Sequence, residues 1–291
     1  MTKKESGKIS CIIPAYNEQA NISRVLKVIT TFPRFDEIIV IDDGSKDNTV
    51  NIVKQYQKDC KHLKLIVNSH NLGKTGAIKK AVYMSNNELI TICDADLIGL
   101  SHRNLNNLIN PVIKNKCSMT ILDRAGDRTI IIGFLNVAKL YGGERCFWKD
   151  DFEKMNLPKN GGYLLEIIMN MYYIMNNKKI QTVYCKNLYT VHQYTKMNFW
   201  KGVKNYLKMY KKIYDAATLA DFVRQIVLIK DSRFGKLFDI YDKRGKKTKP
   251  IIGFVIFITN FIDGSYLFIY LNLKKIINYF SEVFTNKPRV A

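Results

Sequence analysis

The chain is 291 residues long, 47% hydrophobic and 24% charged, which excludes disorder, collagen, coiled coil and a small disulfide scaffold as its main architecture. Its formal net charge of +21 suits a polyanionic partner (nucleic acid, anionic lipid or a phosphorylated substrate), unless it reflects no more than a general lysine bias. Six cysteines without any C-x-x-C spacing leave no zinc or thioredoxin motif, and with a polar, basic start from Met1 to Gly7 they suggest a reducing, cytoplasmic setting.

In chain order, Ile9 to Ile13 reads as a short strand stopped by Pro14. Asn21 to Thr30 has helical spacing, with Ile22, Val25, Leu26 and Ile29 on one stripe and Asn21 as its expected cap. Glu37 to Ile41 is a strand apolar on both faces, ending in the turn Asp42-Asp43-Gly44-Ser45. Asp47 or Asn48 then caps a helix through Val53 and Tyr56, and Leu63 to Val67 is the third strand. A glycine-bearing loop, Asn71 to Gly76, leads into a helix from Ala77 to Met84. Glu88 to Cys93 is the fourth strand, running into Asp94-Ala95-Asp96. This βαβαβαβ order predicts an open parallel sheet with right-handed crossovers.

The next ninety or so residues are less regular. A helix is expected over Leu105 to Val112, a strand over Met119 to Leu122, and a turn into a short strand over Gly142 to Phe147. An amphipathic helix follows from Tyr163 to Met175, then a strand from Ile180 to Tyr184. Phe199 to Ile229 reads as helical. Residues 196–249 carry fifteen Lys and Arg against five Asp and Glu, densest from Lys243 to Lys249. In Pro250 to Leu273 the only charge is Asp263, and the Asn260, Asp263 and Gly264 signals break the stretch into two short apolar helices. Packing on the domain, lying in a membrane interface and spanning the membrane all remain open for it, and a basic cluster beside it suits anionic lipid.

Ligands of open α/β sheets bind at the carboxyl ends of the strands, and here those ends carry a concentration of acids. Asp94 and Asp96 can hold a hard divalent cation together with substrate phosphates. A carboxylate of the Asp42-Asp43 pair can accept a nucleobase N–H, and Asn17 and Glu18 can take ribose hydroxyls. Lys74, in a loop that opens a helix, is placed for a phosphate. Asp42 to Ser45 also has a plain reading as good turn formers.

Four motifs in order, Cys11-Ile-Ile-Pro-Ala-Tyr-Asn-Glu18, Ile39 to Thr49, Asn71-Leu-Gly-Lys-Thr-Gly-Ala77 and Asp94-Ala-Asp96, resemble family-2 glycosyltransferases, in particular the polyprenyl- or dolichol-phosphate sugar transferase and glucosyl-phosphoglycerate synthase branches. The resemblance implies a GT-A fold, an open, mostly parallel sheet flanked by helices, here with a basic helical extension. It implies a nucleotide-sugar donor and Mg2+ or Mn2+. It implies that Pro14, Ala15, Tyr16, Glu18, Asp43 and Gly44 bind the nucleoside, that Lys74 and Ala95 lie at the donor, and that Asp94 and Asp96 hold the metal. Gly143-Glu144-Arg145 is similar to an acceptor motif of the polyprenyl-phosphate branch, and Gly162-Tyr-Leu-Leu-Glu166 to the helix start that follows it. His192 stands where related enzymes bring a histidine to the metal or diphosphate, although a lone histidine with no such role fits the sequence equally.

Many members of that family place a Glu-Asp pair at the acceptor, whose Asp deprotonates a hydroxyl; Glu144-Arg145 stands there instead. A phosphate acceptor is already ionised and needs a cationic clamp rather than a base, a role within reach of Arg145. If Glu144 is a base, a hydroxyl acceptor becomes equally good. The expected organisation is a catalytic domain over 1–195, with a nucleotide-sugar half at 1–97 and an acceptor half at 98–195, followed by the basic region 196–291. The expected activity is sugar transfer, with Asp96, Glu144 and Arg145 at the chemistry and a phosphorylated lipid as acceptor. The expected location is the cytoplasmic membrane face, on an anionic surface. A soluble acceptor such as a phosphoglycerate or sugar, a transferase fold that binds nucleotide without turnover, and a non-catalytic basic protein binding nucleotide or nucleic acid are the competing readings. No RNA-binding motif occurs, so nucleic acid is not expected as a partner.

Overall fold

The structure, a computed structural model, describes residues 7–124, 142–157 and 164–190. The elements run β1 (Ile9–Ala15), α1 (Ile22–Ile29), β2 (Glu37–Asp42), α2 (Thr49–Asp59), β3 (Leu63–Val67), α3 (Gly73–Met84), β4 (Leu89–Ile92), β5 (Leu97–Ile98) and α4 (His102–Ile113). They continue β6 (Met119–Arg124), β7 (Arg145–Trp148), α5 (Lys149–Glu153), α6 (Leu164–Met175), β8 (Ile180–Cys185) and β9 (Tyr189–Thr190).

Seven strands form one sheet in the order β3-β2-β1-β4-β7-β6-β8, and β5 pairs with β9 in a separate ribbon. The pairs β3–β2, β2–β1, β1–β4 and β6–β8 are parallel. Within this sheet, among the described residues, only β7 runs against its neighbours, β4 and β6. The chain winds outward from β1 through β2 to β3, then returns to place β4 on the other flank of β1. That reversal opens a crevice at the carboxyl ends of β1 and β4, where open α/β sheets take their ligands.

Alternation along the strands explains the two-sided core. Cys11, Ile13, Ile38 and Val40 face α1 and α4 through Val25, Leu26, Ile29, Leu105 and Leu108. Ile12, Ile39 and Ile41 face α3 and α6 through Ala77, Ile78, Ala81, Leu165 and Met169. All six residues of β2 are buried, as its apolar run predicts. All six cysteines are buried thiols, so they act as small core residues.

Two local expectations change, and at α2 one of two alternatives is decided. Asn21 precedes α1 but makes no cap hydrogen bond; its amide donates to Glu18 Oε2 at 2.7 Å and its carbonyl accepts from Arg24 at 3.0 Å. The first helical N–H, that of Ile22, is taken by the Glu18 carbonyl. At α2, Asn48 occupies the cap position without capping, and Asp47 Oδ1 accepts from the Thr49 N–H. The third helix starts at Gly73, four residues before Ala77, because Gly73 takes φ +76° and Asn71 Oδ1 accepts its N–H at 2.9 Å. Lys74 therefore sits in the first turn of α3. His192 and the expected basic and apolar segments of 196–291 lie outside the described residues.

Candidate active site

The nucleoside-side residues sit at the ends of β1 and β2. The register pairs Ala15 with Asp42, and the Asp43 N–H donates to the Ala15 carbonyl at 2.8 Å. Asp42 turns inward as a turn former: its Oδ2 accepts from the N–H groups of Gly44 and Ser45 at 3.2 and 3.0 Å. Gly44 holds φ +81°, and an added Cβ would press on the His70 carbonyl carbon at 3.3 Å. Asp43 faces the next loop instead. Its Oδ1 accepts from Asn68 Nδ2 at 2.9 Å and from the Leu72 N–H at 2.8 Å, which ties the end of β2 to the start of α3. Tyr16 is half exposed beside this edge, Pro14 is half-buried, and the Glu18 N–H donates to Thr49 Oγ1 at 2.8 Å.

From Asp43 the loop delivers Lys74 to the end of β4. Lys74 Nζ lies 2.9 Å from Asp94 Oδ1 and 3.1 Å from Glu166 Oε1 in the first turn of α6. Arg124, the last residue of β6, reaches Asp94 Oδ2 at 3.7 Å and Glu144 Oε1 at 3.2 Å. The result is a row of alternating charge, Glu166, Lys74, Asp94, Arg124, Glu144, drawn from α6, α3, β4, β6 and the turn before β7. Ala95 is buried beside it, and Asp96 is half-buried two residues past Asp94. Gly143 makes the close approach possible: a Cβ there would strike Asp94 Oδ2 and lie 2.9 Å from both Asp94 Cγ and Lys74 Nζ.

Burial sets the electrostatics of the row. It works against the Lys74 charge, but Asp94 and Glu166 more than offset it and raise the ammonium pKa, so Lys74 stays protonated. Burial likewise opposes the Asp94 charge, and Lys74 and Arg124 override it, holding the carboxyl below its usual range. Glu144, with 0% of its surface exposed, is pushed up to about 7 by burial; Arg124 pulls against that shift and Asp94 adds to it. Glu144 Oε2 and Glu166 Oε2 are both buried without a hydrogen-bond partner.

Arg145 lies behind the row, within range of the charges of Glu166, Glu144 and Asp94. It is 1% exposed, its Nε donates to the Gly142 carbonyl at 2.9 Å and its guanidinium donates to Asn170 Oδ1 on α6 at 2.7 Å. In β7, a strand between β4 and β6, Arg145 points to the same side as Phe147, into the α6 face. The guanidinium paired directly with Asp94 and Glu144 is that of Arg124, to which the sequence gave no role because the expected strand ended at Leu122. Glu166 was visible in its motif but carried no role.

Asp94 and Asp96 offer hard carboxylate oxygens two residues apart, and among the described residues no group of three His, Cys, Asp or Glu is gathered to hold a metal alone. That donor set fits a cation of the Mg2+ type, which takes one or two carboxylates and completes its shell with phosphate oxygens and water.

Residues 10–134 match the sequence model for glycosyl transferase family 2. That stretch is a family-2 glycosyltransferase domain. Among curated relatives, a dolichyl-phosphate beta-glucosyltransferase of Trichomonas vaginalis is 37% identical over 94 residues, 29% of this chain and 28% of the relative. One from Dictyostelium discoideum is 35% identical over 99 residues, 30% of each chain. The chain thus spans under a third of the length of these relatives. Among solved structures, glucosyl-3-phosphoglycerate synthase from Mycobacterium tuberculosis, crystallised with Mn2+, uridine diphosphate and glucosyl-3-phosphoglycerate, superposes with a TM-score of 0.56 at 17% identity. The match covers 70% of this chain and 79% of that one. The family-2 domain therefore has the GT-A fold.

Proposed function

We propose that the protein transfers a sugar from a nucleotide-sugar to a phosphate-bearing acceptor, a polyprenyl phosphate or another phosphorylated lipid. The observation that carries this is the row itself, in which two half-buried cations, Lys74 and Arg124, flank Asp94 at the carboxyl end of β4. Asp43, held by Asn68 and Leu72, presents its carboxylate to the base, with Tyr16 and Glu18 beside the nucleoside. Lys74 meets the diphosphate from the first turn of α3 and stabilises charge on the leaving group. Asp94 and Asp96 would hold a Mg2+ or Mn2+, which supplies further neutralisation of the departing diphosphate. His192 is retained as a third donor in this reading.

Arg124, set between Asp94 and Glu144, is the cation this reading assigns to the acceptor, and a guanidinium pairs well with a phosphate. The dolichyl-phosphate names of the relatives support that class. The basic region 196–249 and the apolar stretch 250–273 support work at the cytoplasmic membrane face. A second reading rests on Glu144. A carboxyl near 7 is in the range of a general base and would serve a hydroxyl acceptor, with Glu144 taking the proton.

The test is a binding and turnover screen of UDP-, GDP- and dTDP-sugars with Mn2+, first alone and then with polyprenyl phosphate. No metal-dependent rise in melting temperature with any sugar nucleotide would overturn the donor assignment. Glu144→Gln separates the acceptors: a phosphate acceptor keeps most of its rate, whereas a hydroxyl acceptor loses about 10²–10⁴-fold.

A further inference from the structure

We propose that Asn68 sets which class of nucleobase the site accepts, by holding Asp43 so that one carboxylate oxygen is left open to a ring N–H. This rests on the nucleotide-sugar reading above, in which Asp43 meets the base, and makes Asn68 the positioning residue behind Asp43. Asn68 directly follows β3, is 4% exposed, and donates its backbone N–H to the Asp42 carbonyl at 2.8 Å. Its side chain is fixed from two sides. Oδ1 accepts from Lys80 Nζ on α3 at 2.8 Å, and Nδ2 donates to Asp43 Oδ1 at 2.9 Å. A lysine ammonium only donates, so the amide has one orientation, with its NH2 toward Asp43.

The consequence falls on the other oxygen of Asp43. Oδ1 is taken twice, by Asn68 and by the Leu72 N–H at 2.8 Å. Oδ2 takes no hydrogen bond among the described residues, at the carboxyl end of β2. A carboxylate oxygen of this kind accepts and does not donate. Uracil, thymine and guanine each carry a ring N–H beside a carbonyl and can satisfy it. Cytosine and adenine present a bare ring nitrogen in the corresponding place, so two acceptors would face each other. A site built to accept an N–H rejects an analogue lacking it far more strongly than a hydrophobic pocket rejects a missing methylene. Asn68 therefore fixes the class of base, and the choice within that class falls to the rest of the pocket.

Asn68→Asp replaces the donor at nearly constant size. Its carboxylate would face that of Asp43, and two carboxylates so close favour sharing a proton, which lets Asp43 offer an O–H to a ring nitrogen. Calorimetric titration of the full chain with Mn2+ compares UDP with CDP, or GDP with ADP if the guanine nucleotide is the one that binds. In the unaltered chain the nucleotide with the ring N–H is expected to bind at least about 100-fold tighter. In Asn68→Asp that gap is expected to shrink at least about tenfold, with the ring-N–H nucleotide weakened and its counterpart not. Asn68→Leu removes the donor without adding charge and is expected to narrow the gap in the same direction, which keeps the test alive if the first variant fails to fold. Equal losses for both nucleotides in either folded variant would overturn the inference and leave the donor reading standing, with Asn68 a purely structural residue. The absence of a gap in the unaltered chain would overturn it without any variant. Binding of none of these nucleotides, nor of their sugar derivatives, would overturn the donor reading and this inference together.

Discussion

Gly143 has no side chain, and the row of charges beside it leaves no room for one. Gly143→Ala would drive a methyl against Asp94 and Lys74, and the neighbouring Gly142 is pinned in turn by a close approach to the Leu122 carbonyl. The turn therefore cannot retreat, and the ion pair must open. Metal-dependent nucleotide affinity is expected to fall at least about tenfold, because a misplaced binding group loses its orientation as well as its contact. The melting temperature should move little, since the pair lies at the edge of the core. Calorimetric titration and thermal melts on the same sample check both halves. Arg124 supports a sharper test. Arg124→Gln removes the cation between Asp94 and Glu144, so it should weaken a phosphate acceptor while leaving donor binding within about threefold, to be read from separate KM values.

At the scale of elements, Arg145 and Glu37 show how strand position decides a charged residue's work. Arg145 links β7 to its own preceding turn and to α6. Arg145→Met keeps the apolar length but strands the Gly142 carbonyl and Asn170 Oδ1, and should cost about 2–3 kcal/mol in urea unfolding. Glu37 opens β2 at the opposite end of the sheet and is 3% exposed. Its carboxylate accepts from Ser10 Oγ at 2.5 Å, Lys64 Nζ at 2.6 Å and the Asn86 N–H at 2.9 Å. Burial raises its pKa, but those bonds outweigh burial and hold it below the ordinary 4.5. The unfolded chain then binds the proton more readily, so this stability is intact above the ordinary Glu range and is lost as pH falls through the lower folded value. Melting temperature measured between about pH 3 and 6 should drop more steeply for the unaltered chain than for Glu37→Gln. The parallel half of the sheet was legible in the sequence because each strand is an apolar run closed by polar residues, and Lys74, Asp94 and Asp43 fell at those closures. The antiparallel β7 was not: its neighbours β4 and β6 are set by long-range pairing, and without the pairing nothing says that Arg145 faces inward or that Arg124 and Glu166 meet the same aspartate's surroundings. The cap of α1 was misjudged for a related reason, since Asn21 has the right type but the Glu18 carbonyl is nearer the open N–H groups, whereas of the two candidates at α2 it is Asp47 that accepts.

Over the whole molecule the net charge of +21 is unevenly spread, with fifteen of the 46 Lys and Arg falling between residues 196 and 249. Among the described residues no helix is long and apolar enough to cross a membrane, so attachment to a lipid surface would draw on this basic stretch and on Pro250 to Leu273, both outside them. The two contributions respond differently to salt. Basic residues near an anionic leaflet contribute about 1 kcal/mol each, and that attraction fades over a Debye length that shrinks from about 10 Å at 0.1 M to 3 Å at 1 M. Burial of apolar side chains is not screened. Full-length protein is therefore expected to co-sediment with phosphatidylserine-containing vesicles at low salt and not with neutral ones. Replacing Lys243, Arg244, Lys246, Lys247 and Lys249 by Gln should shift release to lower salt while donor affinity stays unchanged, because the row around Asp94 is drawn from α3, α6, β4, β6 and the turn before β7. Retention at 1 M salt would assign the hold to the apolar stretch. Binding that an added oligonucleotide abolishes, in a protein that takes up no nucleotide-sugar, would instead favour a polyanion-binding protein over a transferase.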